Sequence, residues 1–454
     1  MEMNELPMER AGIDGVNGLA SSSAASASGE SSRPRPGIAF LKARRPSRGI
    51  EHPPAFPSPH HASAKDNSSC SETFNGSHTS MDRIFRHIDY EQPRASTGRA
   101  LGNAMPLTAA DEGAIALLRE QGFSTGLAIA LHTNAMMFHS RIWIVDNSGS
   151  MEVGDGHRIV LTSDRRTVAQ DVSRWEELQD TVAYHAEMAA LLHSPTWFKL
   201  LNHPGPGFQR QDFSVGIPGS NADDDIRNGR TLMLRAKPIG TTPLVEHVWS
   251  IQKHIHKMTP QLRRAGQRVV VVVATDGLPT DNDGYIGDDV DAEFLSALKA
   301  LEGLPVWVVI RLCTDEEKVT HFYNELDQKL DLSLEVLDDF LGEAREVHRY
   351  NKWLNYCLPL HRCRELGYHN RVFDFLDERP LTKGELRDFC CILFGTRFEN
   401  TPDPNIEWRD FLQFVQEKLA LEDEQFNPLV KRKGPWINIK VLHRIYGSGK
   451  CTIM

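Results

Sequence analysis

The sequence predicts an α/β protein organised around a doubly wound, mostly parallel sheet. Two segments carry most of that expectation. RVVVVVAT (268–275) and VWVVIRL (306–312) are continuous apolar runs rich in β-branched residues, the pattern of strands covered by helices on both faces. Stretches with apolar residues three or four apart lie between and after them, so strand and helix alternate along the chain.

The elements follow in order. Ala114, Leu117 and Leu118 recur at helical spacing after the acidic start Asp111–Glu112, which predicts a short helix. RIWIVD (141–146) is an apolar strand that ends on an aspartate. From Ser173 onward, Trp175, Leu178, Val182, Ala186 and Ala189 step by three or four; Ser173 and Glu176 form a capping-box pair, and Pro195 closes the helix. WFKLL (197–201) and FSVGI (213–217) read as short strands, and Pro243 to Met258 as a helix with proline in its first turn. DAEFLSALKALE (291–302) and DEEKVTHFYNELDQKL (315–330) are helices on either side of VWVVIRL. LSLEVLD (332–338) is a last strand and DDFLGEAREV (338–347) a last helix.

Five regions follow from these assignments. Residues 1–95 are rich in Ser and Pro and poor in large apolar side chains, so disorder is expected there. Residues 96–135 form a helical lead-in, 136–350 the α/β domain, 351–445 a mostly α region and 446–454 a flexible tail. The charge sum of 51 cations and 61 acids gives −10, which argues against a nucleic-acid partner. The longest purely apolar run, Val269 to Ala274, is far short of the roughly 18 residues that span a bilayer. The N-terminus lacks an apolar signal core, and the 7 cysteines contain no C-x-x-C pair. A cytoplasmic, reducing compartment is the expectation.

The residues that carry chemistry stand where strands end. RIWIVD runs into Asp146-Asn147-Ser148-Gly149-Ser150-Met151, RVVVVVAT ends in Asp276-Gly277, and Gly240-Thr241-Thr242-Pro243-Leu244 precedes a helix. Loops leaving the carboxyl ends of strands in an open α/β sheet converge on one crevice. The side chains brought there are all oxygen donors, a hard set suited to Mg²⁺, Mn²⁺ or Ca²⁺ and not to Zn²⁺. Ser148 and Ser150 are two apart, so both hydroxyls can face one ion across Gly149. An ion held partly by hydroxyls and water stays electrophilic and can accept a carboxylate from another molecule.

This pattern resembles the metal-ion-dependent adhesion site of the von Willebrand factor type A domain: D-x-S-x-S, a distant Thr, and an Asp in a D-G turn. The matching positions are Asp146, Ser148, Ser150, Thr242 and Asp276, and the resemblance covers roughly residues 136 to 350. It implies the Rossmann-like sheet of that family. It also implies direct coordination by the two serines and Thr242, with Asp146 and Asp276 binding directly or through water. A glutamate or aspartate of a protein partner would complete the octahedron. Thr241 is the competing threonine; Thr242 is preferred because it immediately precedes Pro243-Leu244. The chain departs from the family pattern in the stretch GDGHRIVLTSDRRTVAQDV (154–172), which intervenes before the first helix. HRIVLT and DRRTVAQ are expected to pair as a hairpin, either a lid over the ion or a surface insertion.

The expected function is therefore a metal-ion-dependent protein-binding module, an intracellular scaffold or signalling adaptor and not an enzyme. The alternative is a non-catalytic subunit of a chelatase-like or ubiquitin-related assembly. Asp281-Asn282-Asp283-Gly284 fails as an EF-hand, since Pro279 and Val290 stand where carboxylates are required. YGSGKCT fails as a phosphate loop, with Arg444 at the first glycine position and Cys451 at the Ser/Thr position. The same tail, Cys451-Thr452-Ile453-Met454, fits a C-a-a-X prenylation signal of the farnesyl type, with upstream cations as a second membrane signal.

Overall fold

A computed structural model describes residues 109–161 and 167–447. The Ser/Pro-rich segment 1–95 and the Cys451 tail lie outside the described residues.

Six strands form one sheet: β1 (Phe138–Val145), β4 (Thr196–Leu200), β5 (Asp212–Val215), β6 (Arg268–Thr275), β7 (Val306–Leu312) and β8 (Leu334–Leu337). Their order is β5-β4-β1-β6-β7-β8. Every pairing is parallel except that of the edge strand β5 with β4. The chain winds outward from β1 in one direction and then, from β6, in the other. The boundary between β1 and β6 is thus the topological switch point at which such sheets bind ligands.

The strands form because their side chains are covered on both faces. Ile142, Ile144, Val271, Val273, Val308 and Ile310 pack on one side, under α5 (Leu244–Ala265), α6 (Asp288–Lys299) and α7 (Glu317–Lys329). Trp143, Val145, Val270, Val272 and Val309 pack on the other, under α3 (Arg174–Leu191) and α4 (Ala222–Arg235). With both faces apolar, the residues of β6 and β7 need no alternation. The capping box is present as read: the Ser173 side chain accepts from Glu176 N, and Glu176 reaches back to Ser173 N. The hairpin is present too, as antiparallel β2 (Gly156–Leu161) and β3 (Thr167–Val172).

Some elements differ from expectation. Helix α5 begins after Pro243, which serves as its N-cap, and continues through Pro260 to Ala265. Burial of Met258, Thr259 and Leu262 outweighs the local cost of an interior proline. Helix α4 is an element the sequence reading lacked. Gly229 sits in its middle because any Cβ there would stand 2.3 Å from the Phe213 ring.

Helices α1 (Ala109–Glu120) and α2 (Thr125–Met137) share an apolar core with the C-terminal region. That region contains α8 (Phe340–Tyr350), α9 (Leu358–Glu365), α10 (Arg371–Glu378), α11 (Lys383–Phe394), α12 (Trp408–Leu419) and α13 (Ile439–Tyr446). A two-stranded ribbon, β9 (Gln425–Asn427) with β10 (Arg432–Gly434), completes it. Within this region α9 and α10 are separated at Gly367, whose φ is +82°. At Gly126 helix α2 approaches α11 so closely that a Cβ would lie 2.1 Å from Ile392 O. Beside it the buried Ser124 hydroxyl donates to Leu393 O at 2.6 Å. Among the described residues no helix is long and apolar enough to cross a membrane.

Candidate metal centre

The switch point assembles the strand-end residues. Asp146 follows β1 and donates its backbone N–H to Ala274 O of β6 at 2.9 Å; Asp276 follows β6. The D-x-S-x-S loop leaves β1 as a single 3₁₀ turn, Gly149–Glu152. Asp146 is held from both sides: Ser148 N–H donates to Oδ1 at 2.8 Å and the Thr275 hydroxyl to Oδ2 at 2.6 Å. The Ser148 and Ser150 hydroxyls are 3.0 Å apart, and Ser150 donates to Asp276 Oδ1 at 2.8 Å. Four of the five expected residues therefore form one hydrogen-bonded group. Asp146, Ser148 and Asp276 are buried within it, and Ser150 is exposed at its mouth.

The threonine turn is fastened to this loop by backbone contacts. Gly149 N–H donates to Gly240 O at 3.2 Å and Ile239 N–H to Asn147 O at 2.7 Å. Asn147 and Asn202 lock the two loops from the side: Asn202 N–H donates to Asn147 Oδ1 at 2.7 Å, and Asn202 Nδ2 to Thr241 O at 2.7 Å. Gly240, at φ +99°, is required, because a Cβ would lie 2.8 Å from the Asn202 carboxamide carbon. The two threonines then diverge. The Thr242 hydroxyl lies 3.6 Å from the point where a Cβ on Gly277 would stand, beside the Asp276 turn. Thr241 instead packs its methyl toward Gly284 in the acidic loop. Thr242 is buried, and its backbone pairs with Thr280 in both directions at 2.9 Å.

Two carboxylates so close and so buried oppose each other. Burial first, and then the Asp276 charge, push the Asp146 carboxyl up to about 6, against the pull of the Thr275 and Ser148 hydrogen bonds. One cation balances the pair from behind. Arg174, at the first position of α3, donates to Asp276 Oδ2 at 2.9 Å and grips Asp155 through two nitrogens at 2.6 and 2.7 Å. Asp155 begins the inserted hairpin, whose neighbouring Gly156 lies too close to Ser173 O for a Cβ, 2.7 Å. The hairpin base is thus tied to Asp276 through one guanidinium.

The donor set fits a small dication. Two carboxylates and adjacent hydroxyls converge, with Asp276 offering Oδ1 toward Ser150 while Arg174 occupies Oδ2. Among the described residues no three His, Cys, Asp or Glu side chains converge as a ready-made ion shell, so an ion here would rely on the hydroxyls and water for the rest of its coordination. The acidic loop is not a second shell of ligands: Asp281 Oδ1 accepts from its own loop, Asp283 N at 2.9 Å and Tyr285 N at 2.8 Å.

Sequence reasoning missed Thr275, Asn147, Asn202, Asp155 and Arg174. Arg174 had a signal: a cation in the first turn of a helix opposes the helix dipole and calls for a compensating acid. No family model matches the chain, and no curated protein matches it.

Proposed function

We propose that this protein is a metal-ion-dependent protein-binding module with a sheet of the von Willebrand factor A type. Asp146, Ser148, Ser150, Thr242 and Asp276 would hold Mg²⁺, or Mn²⁺ or Ca²⁺ in its place. The observation that carries the reading is the continuous line of oxygens Ser148–Ser150–Asp276 at 3.0 and 2.8 Å, with buried Asp146 behind it, at the switch point of the sheet. When bound, the ion supplies an electrophilic vertex for a carboxylate of another protein. The chain's residues do the positioning. Thr275 and Ser148 N–H hold Asp146, Arg174 turns one oxygen of Asp276 toward the crevice, and Asn147 with Asn202 keep the threonine turn in reach.

The partner is a protein with an exposed Asp or Glu, and the role is an intracellular scaffold or adaptor. Prenylation of Cys451 would add membrane attachment, and mass spectrometry of the native C-terminus tests that part separately. Titration calorimetry of Mg²⁺ and Mn²⁺ into wild type and Asp146→Ala tests the site: heat of binding is expected only for wild type. Partner capture with and without chelator tests the role. Equal capture under both conditions would overturn the adhesion mechanism even with the ion bound.

A further inference from the structure

Arg174 stands where an ion site does not call for a cation. Its side chain is only 6% exposed, and it lies against Asp276, whose side chain is fully buried. Nη1 donates to Asp276 Oδ2 at 2.9 Å, while Nε and Nη2 donate to the two oxygens of Asp155 at 2.6 and 2.7 Å. One cation is therefore divided between two acids of different kinds. Asp276 belongs to the crevice and keeps Oδ1 on Ser150. Asp155 stands at the base of the hairpin and is 43% exposed.

The backbone fixes this division. Arg174 is the first residue of α3, and its N–H donates to Val153 O at 2.9 Å. Gly156, the first residue of β2, is pressed against Ser173, and His157 N–H donates to Glu177 Oε2 at 2.8 Å on the next turn of α3. Asp155 is thus held where it grips the Nε–Nη2 edge of the guanidinium and leaves Nη1 for Asp276. The Arg174 hydrogen bonds hold the Asp155 carboxyl below its ordinary range, so it keeps its charge.

A positive charge behind a ligand repels the ion that the ligand attracts, and in a buried site that repulsion is weakly screened. We propose, resting on the ion reading above, that Arg174 is a counter-charge that weakens the hold of Asp276 on a divalent ion, and that Asp155 tunes this effect from the hairpin. With Asp276 shared, the crevice aspartates leave part of the ion's charge unneutralised, and that remainder is what an incoming carboxylate meets. The hairpin acts on the ion through its base: a shift that loosens Asp155 turns more of the guanidinium's charge on Asp276 and releases the ion.

Titration calorimetry of Mg²⁺ into the full-length protein tests both residues, because they should move affinity in opposite directions. Arg174→Gln removes the repulsion while Ser150 still holds Asp276 Oδ1, and it should tighten Mg²⁺ binding by about tenfold or more. Asp155→Asn leaves the whole guanidinium charge on Asp276 and should weaken binding by about threefold, less at high salt because Asp155 is partly exposed. A merely structural role would weaken binding in both. If Arg174→Gln is unfolded alone, circular dichroism during an Mg²⁺ titration carries the same test. Folding on addition of Mg²⁺ supports the counter-charge role, and failure to fold at any Mg²⁺ concentration overturns it. Mg²⁺ bound by all three proteins, with both variants weaker than or equal to wild type, would overturn the proposal and leave the ion site standing. Absence of binding heat from wild type and both variants would instead remove the ion site, and this role with it.

Discussion

Asp146 and Glu365 are both completely buried, and burial pushes both carboxyls up, yet they end in opposite states. At Asp146 the next influence is the negative charge of Asp276, and the carboxyl stands at about 6. At Glu365 the pull of Arg362, His361 and His185 overcomes burial and holds the carboxyl well below its usual range. Glu365 lies 2.6 Å from Arg362, 2.9 Å from His185 and 3.3 Å from Arg311 of β7. It joins the C-terminal helices to the sheet. The difference teaches that depth of burial alone does not set the state of a carboxyl. The sign of the nearest charge separates the two: cations and imidazoles surround Glu365, whereas a second carboxylate stands beside Asp146.

Substitution should separate the two most widely. Glu365→Ala leaves Arg311 and Arg362 buried without their partner and should cost about 3–5 kcal/mol of unfolding free energy in urea. Asp146→Asn relieves the repulsion with Asp276 and should change the stability of the metal-free protein by less than about 1 kcal/mol while abolishing Mg²⁺ binding. Comparable destabilisation by both would erase the distinction.

Titration sharpens it further. The folded value for Asp146 is raised from 3.8 to about 6, so the metal-free native state holds this proton more tightly than the unfolded chain. Its contribution to stability is full below pH 4 and is lost as pH rises through 6. Glu365 has the opposite sign: its contribution is present above the ordinary carboxylate range and is lost as pH falls through its depressed folded value. Ion binding needs Asp146 charged, so Mg²⁺ affinity should climb by up to about tenfold per pH unit toward pH 6 and flatten above it. An affinity flat from pH 5 to pH 7 would remove Asp146 from the ligand set. The smallest expected effect concerns the two threonines. Thr242→Ala should weaken Mg²⁺ binding by about tenfold, and Thr241→Ala by less than about twofold.

The legible parts of this molecule were those whose cause is local. β6 and β7 have the bounds of their apolar runs, Ser173 caps α3 with Glu176, and HRIVLT pairs with its partner strand, because periodicity and capping act within a few residues. Helix α2 was legible only as part of a helical lead-in, without its bounds or its buried face. TGLAIALHTNAMM is apolar on most sides, and its buried residues Gly126, Leu127, Ala128, Leu131 and Ala135 face more than one neighbour. Helix α4 was hidden for the opposite reason, having only Gly229, Leu232 and Met233 buried in an otherwise polar stretch.

The sequence by itself determined the chemistry available at the crevice: two aspartates, two serines and a threonine turn, each placed at a strand end or helix start by local pattern. Tertiary structure decided how that chemistry is arranged. It set the Thr242 hydroxyl beside Gly277 and the Thr241 methyl beside Gly284, and it brought Arg174 between Asp155 and Asp276. It also packed the lead-in helices against the C-terminal region. Those outcomes depend on charges and backbones meeting across more than a hundred residues of chain, as Arg174 and Asp276 do. Coulomb and packing forces act on distance in space, which residue spacing along the chain does not specify.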